Sequence, residues 1–269
     1  MTGAVKAACA AGVLTVLAGC SHAGWVKHSD ERLVTLTHDT FGELRVESVN
    51  GSVHISEGEA GFARVEARLT GPDLDRLFDT AIVAERRGDG MFVGVEWAGG
   101  SRKNGEGCDF VITVPGATAV VVRTSNDEVI VDHVGESVDI KTSNDEVEVR
   151  GVPGAVRVAT SNDHVLVQGA EGMVDVSTSN DEIYIELGAY ASGPVNAATS
   201  NDGIELRVGP MFGGELKAST SNGRVRVYGD GVAVSDSGKR TRATLRFDRG
   251  GERSTLSTSN SDITVHVEE

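Results

Sequence analysis

The sequence predicts an all-β, single-domain repetitive β-solenoid (a β-helix or β-roll in kind) with coils of about 18 residues and a less regular β N-terminal part. Three observations predict it. The tripeptide Thr-Ser-Asn returns seven times, with its Asn at 126, 144, 162, 180, 201, 222 and 260. Between copies, apolar and polar residues alternate with a period of two, the mark of a half-buried strand. Gly is abundant at 34 residues and Pro scarce at 5, which favours many tight turns over a Pro-rich linker.

At the N-terminus, Lys6 is a thin positive region before the apolar stretch Ala7 to Leu17. That stretch has signal-peptide length and is too short to span a bilayer as a helix. It ends in Leu17-Ala18-Gly19-Cys20, which resembles the bacterial lipobox. The resemblance implies a lipoprotein signal peptide over residues 1–19 and a Cys20 that carries acyl chains such as palmitate. Ser21, not Asp, follows the Cys, which by the same resemblance implies the outer membrane of a two-membrane cell. In a single-membrane cell it implies the exterior of the cytoplasmic membrane. Residues 20–31 then read as a lipidated tether and 32–269 as the β-repeat domain. Cys9 leaves with the leader and Cys20 is lipidated, so Cys108 has no disulfide partner and reads as a small buried hydrophobe.

In the less regular part, strands are expected at Leu44 to Val46, Val53 to Ile55, Ala63 to Leu69, Ile82 to Glu85, Met91 to Trp97 and Phe110 to Val114. A short helical turn is expected at Asp73 to Phe78, where Leu74, Leu77 and Phe78 share a face.

Residues 119–228 read as regular coils. Successive corner Asn residues are 18, 18, 18, 21, 21 and 38 residues apart, and Ser48-Val49-Asn50-Gly51 reads as a degenerate first copy. Each unit is strand, turn, strand. Val138 to Thr142 alternates, Asn144-Asp145 turns, Val147 to Arg150 alternates again, and Pro153-Gly154 turns back. One unit cannot bury its own apolar face, so stacking must supply the core. In a stack with strands about 4.8 Å apart, like residues form ladders. Val and Ile fill the inside, and Thr points inward beside the turn. Asn126, Asn144, Asn162, Asn180, Asn201, Asn222 and Asn260 form a structural ladder along one corner. An antiparallel meander of hairpins is the competing topology. The three-residue insertion before Asn201 is expected in the turn Gly188 to Gly193.

These features resemble the adhesin-labelled β-strand-repeat family of bacteria, DUF4097, over roughly residues 40–269. The resemblance is carried by Val49-Asn50-Gly51-Ser52-Val53, by Val114-Pro115-Gly116-Ala117, and by the serial Thr-Ser-Asn corners followed by alternating Val. The family's corner is usually Asn-Gly; here it is mostly Asn-Asp, with Gly at Gly51 and Gly223. The resemblance implies a repetitive β fold at the cell envelope and no established enzyme activity.

The candidate sites are few. Asp127, Asp145, Asp163, Asp181 and Asp202 follow the corner Asn, and such a row suggests a divalent-cation site or a solvated turn. No metal-ligand spacing links the seven His, and neither a Gly-x-Ser-x-Gly elbow nor a phosphate loop is present. No catalytic residue and no cofactor is therefore expected. The net charge of −15 speaks against nucleic acid. Against that charge, Lys239 to Arg253 is locally basic and reads either as a docking segment or as an ordinary hairpin with Leu245 and Phe247 inward. The functional expectation is a non-enzymatic, lipid-anchored envelope protein, structural or adhesin-like. Its acidic sheet would meet an envelope protein or a cell-wall or surface polymer. The alternatives are a carbohydrate-active β-helix enzyme, for which residues 121–228 hold only Tyr184, Tyr190, Phe212 and Tyr228 as aromatics, and a cation-loaded envelope sensor.

Overall fold

The computed structural model describes residues 27–37, 41–230, 232–236 and 240–268. The leader and Cys20 lie outside them. The described chain is all-β apart from one short helix and one 3-10 turn. No helix among the described residues is long and apolar enough to cross a membrane.

Alternating Val and Ile residues set the strands of the middle region. These are β8 (Ala117–Arg123), β9 (Val129–Asp132), β10 (Val138–Lys141), β11 (Val147–Arg150), β12 (Val156–Ala159), β13 (Val165–Ala170), β14 (Val174–Ser177), β15 (Ile183–Leu187), β16 (Val195–Ala198) and β17 (Ile204–Val208), where the β1 to β7 labels belong to the N-terminal strands given below. Even-numbered strands lie in one sheet and odd-numbered strands in the other. Each pairs in parallel with its own copy: Val138 lies between Val120 and Val156, and Val147 between Val129 and Val165. Antiparallel hairpins are thereby excluded across this region. The inward residues Ile140, Val149, Val167, Ile185 and Leu206 are fully buried between the sheets. The insertion before Asn201 falls where expected, between β15 and β16.

Before the middle region come β1 (His28–Thr37), β2 (Phe41–Glu47), β3 (Val53–Glu57), β4 (Phe62–Gly71), α1 (Leu74–Asp79), β5 (Ala81–Arg87), β6 (Gly90–Glu96) and β7 (Gly107–Val114). All the strands expected here are present. The fold starts earlier than expected: β1 begins at His28, inside the span assigned to the tether, because its whole length pairs antiparallel with β4. In α1, Asp73 caps the first turn and Leu77 is buried, but Phe78 is 55% exposed, so the expected apolar face is narrower than three residues.

After it come β18 (Glu215–Thr220), β19 (Val225–Tyr228), β20 (Val232–Asp236), β21 (Arg242–Phe247), β22 (Arg253–Thr258) and β23 (Ile263–Val267). Here the expectation of regular coils through residue 228 fails. The strands next to β16 and β17 are β22 and β23, and β18 and β19 lie beyond them. The chain leaves one rung open on its way out and fills it on its return. The N-terminal end does the same: β2 and β3 lie between the rung of β6 and β7 and the rung of β8 and β9.

Candidate functional site

One edge of the stack is built from the Thr-Ser-Asn corners. The amide Nδ2 of Asn144 donates to Oδ1 of Asn126 at 2.6 Å, Asn162 to Asn144 at 2.5 Å, Asn180 to Asn162 at 2.6 Å and Asn201 to Asn180 at 2.7 Å. The ladder then passes through Asn260, which donates to Asn201 at 3.0 Å, and ends on Asn222, which donates to Asn260 at 2.8 Å. At the other end Asn126 donates to Asn50 at 2.6 Å, and Asn50 donates to the carbonyl of Glu106 at 3.2 Å. All seven expected Asn residues and the degenerate copy at Asn50 thus lie in one line. Their order in space differs from their order in sequence only at the last two.

The Thr ladder points inward, as expected. Thr124, Thr142, Thr160, Thr178, Thr199, Thr220 and Thr258 are all buried. Their hydroxyls find partners in two ways. Thr124 and Thr142 donate to the carbonyl of the Asn two residues on, at 3.4 Å. Thr178, Thr199 and Thr258 instead donate to the carbonyls of Asp163, Asp181 and Asp202 one rung back, at 3.3, 3.1 and 2.8 Å. The backbone explains the change. Asp127 and Asp145 sit at φ +74° and +81°, and the later corner Asp residues do not take positive φ. Thr160 stands at the junction, one rung after the last left-handed Asp. Its hydroxyl has no hydrogen-bond partner among the described residues.

The Asn-Gly corners mark the places where the rung order breaks. A Cβ on Gly51, at φ +116°, would lie 2.2 Å from the carbonyl oxygen of Cys108, and one on Gly223 would lie 1.8 Å from that of Ser261. Both glycines abut a rung that is distant in sequence, whose backbone passes too close for any side chain.

Each Asp of the row gives one oxygen to a backbone N–H, four of them within their own turn. Asp145, Asp163, Asp181 and Asp202 each accept the N–H of the following residue, at 3.0, 2.8, 2.8 and 2.7 Å. Asp127 accepts the N–H of Gly51 at 2.6 Å. No group of three or more His, Cys, Asp or Glu side chains converges among the described residues.

The sheet faces are not the acidic surface expected. On both, acids and bases pair within a strand or across one rung, as in Arg45 with Glu43, Arg207 with Glu205, Arg123 with Asp139 and Arg226 with Asp262. The acidic excess gathers at the corner edge. Lys239 lies outside the described residues; Arg242–Phe247 of the basic segment forms the hairpin strand β21, with Leu245 buried and Phe247 edge-on to Phe212 at 4.9 Å. Its Arg246 and Arg253 turn to Glu215, at 3.3 and 3.4 Å, and not to the Asp row. Together with Lys217 they hold the Glu215 carboxyl below the usual carboxylate range. Cys108 is buried, and loss of water pushes its thiol well up, away from the thiolate form that reacts.

The N-terminal end of the core is closed by α1 and its ion pairs. Arg76 bonds Glu106 at 2.7 Å, and the Glu106 side chain is 1% exposed. Arg32, paired to Asp30, donates to the carbonyl of Leu77 at 2.7 Å and so covers the helix C-terminus.

No protein-family model matches the chain, and no curated protein matches it. Solved structures do resemble it. A "putative cell adhesion protein" from Clostridium sporogenes is 11% identical over 90% of this chain and 100% of its own, with a TM-score of 0.33. A "putative adhesin" from Parabacteroides merdae is 10% identical over 88% and 95%, with a TM-score of 0.33. A "putative lipid binding protein" from Parabacteroides distasonis is 9% identical over 88% and 96%, with a TM-score of 0.37.

Proposed function

We propose that this chain is a lipid-anchored β-solenoid of the DUF4097 kind, which works at the bacterial envelope as a non-enzymatic interaction module. The observation that carries the reading is the ladder of eight corner Asn residues, read together with Leu17-Ala18-Gly19-Cys20 at the other end of the tether. A ladder of that length fixes like residues over like through both irregular ends. Eleven strands in one sheet give a rod about 50 Å long. Such a rod holds its outer faces in fixed relation to one another and needs no moving part.

The test is the anchor. Cys20→Ala should move the protein from the membrane fraction to the soluble fraction and abolish labelling by a palmitate analogue. A Cys20→Ala chain that stays in the membrane and still takes the label would contradict the reading.

A further inference from the structure

We propose that the last five strands, β13, β15, β17, β23 and β19, of the eleven-stranded sheet bind a neutral polysaccharide strand on their outer face; this deepens the interaction-module reading by naming the partner. Residues scattered through the sequence meet there in register. One row runs Gln168, Glu186, Arg207, His266 and Tyr228 across five neighbouring strands. Beside it, Tyr184 lies next to Glu205. The five strands span about 19 Å.

The side chains fix one another. The hydroxyl of Tyr184 donates to Glu186 at 3.1 Å, and Gln168 donates to the same carboxylate at 3.3 Å. Arg207 donates through Nε and an Nη to Glu205 at 3.1 and 2.8 Å, with its guanidinium 5.7 Å from the Tyr184 ring centre. His266 lies 3.5 Å from Glu205 and stacks on Tyr228 with ring centres 5.2 Å apart and planes 17° apart. Tyr228 is 51% exposed. Two of the chain's three tyrosines therefore share one open, flat face with two carboxylates, a guanidinium and an amide.

This chemistry suits sugars. A pyranose offers an apolar C–H face to an aromatic ring and paired hydroxyls to planar groups that accept or donate twice. Charge chooses among polymers. Arg207 is paired with Glu205, and the neighbouring Arg226 with Asp262, so the guanidiniums flanking the tyrosines are neutralised rather than held out to a polyanion. A protein partner would want an apolar centre ringed by contacts that exclude water. Here the neighbours of the tyrosines are polar, Leu166 apart. The open sheet fits an extended strand better than a small ligand.

The test is affinity electrophoresis of the full chain in a detergent without sugar, through gels carrying dextran, mannan, galactomannan or hydroxyethylcellulose, with alginate as the anionic comparison. At least one neutral polymer should retard the protein. Tyr228→Ala and Arg207→Lys should each weaken that binding tenfold or more, the second because Lys keeps the charge and loses the planar fork. Glu186→Gln, which preserves shape, should weaken it too, and Arg64→Ala on the far N-terminal part of the same sheet should not. Retardation by alginate alone, by none of the polymers, or equally for wild type and Tyr228→Ala would overturn the proposal. The anchor is read separately by fractionation, so failure of one leaves the other standing.

Discussion

The middle of the stack and its two ends obey the same local rules and differ in one respect. From β8 to β17 each strand lies beside the copy that precedes it in its own sheet, so order in space follows order in sequence. At both ends a rung is inserted from elsewhere: β2 and β3 next to β8 and β9, and β22 and β23 next to β16 and β17. Yet the Asn ladder runs on unbroken through both inserted rungs, and the buried Thr row through the C-terminal one, while the half-buried Ser48 holds the Thr position in the N-terminal one. The corner motif therefore specifies that a segment is a rung, and not which rung lies beside it. The inserted β2, β3 and β23 carry the same inward aliphatics as the middle, while β22 sets the buried Ser254 against Val195, whose N–H its Oγ accepts at 3.0 Å.

The largest expected effects compare these regions directly. Ile140→Ala in the middle and Leu256→Ala in the inserted rung both remove fully enclosed side chains. Each should cost about 2–5 kcal/mol in urea unfolding. A cost well under 1 kcal/mol at Leu256 alone would mean that the inserted rung is not packed like the middle.

Next in size is the N-terminal closure. The hydrogen bond from Arg76, helped by the N–H of Lys103, holds the Glu106 carboxyl below its ordinary range against the opposing pull of burial. A carboxyl lowered on folding stabilises the native state above its unfolded pKa of about 4.3 and loses that contribution as pH falls through the lower folded value. Glu106→Gln should therefore lower Tm at pH 7 and flatten its decline below about pH 4. An acid limb parallel to wild type would show that this pair does not hold the end closed.

The smallest effect separates two corners that look alike in sequence. Thr178→Val removes a hydroxyl that bonds Asp163 and should cost about 1 kcal/mol. Thr160→Val removes one without a partner and should be neutral or slightly stabilising. Equal costs at the two positions would remove the distinction between the two corner types.

Much of this was legible in the sequence. The strands, the 18-residue parallel register, the inward Thr and the line of Asn all follow from period-two patterning and the repeat. What was not legible depends on contacts between distant segments. The 38-residue gap before Asn260 read as holding a basic docking segment or a hairpin, and nothing local says that Asn260 returns to lie between Asn201 and Asn222. Gly51 and Gly223 were the available signal: they are the Gly exceptions among Asn-Asp corners, and each meets a foreign backbone. The Tyr184, Arg207, His266 and Tyr228 cluster was hidden for the same reason, since residues on four strands share a face only once the rung order is known.

Disulfide trapping tests the inserted rung most directly. With Cys9 and Cys20 replaced by Ala, the pair Ala198→Cys and Ser257→Cys places thiols on neighbouring parallel strands in register. Ser219→Cys with Ser257→Cys does so on the next pair. Neighbouring strands about 4.8 Å apart lie within disulfide range, and strands two rungs apart do not. Both pairs should oxidise readily in the folded protein, while Ala198→Cys with Ser219→Cys should stay reduced. Rapid bridging of 198 to 219, with 198 and 257 left free, would put the rungs in sequence order and contradict the structure described.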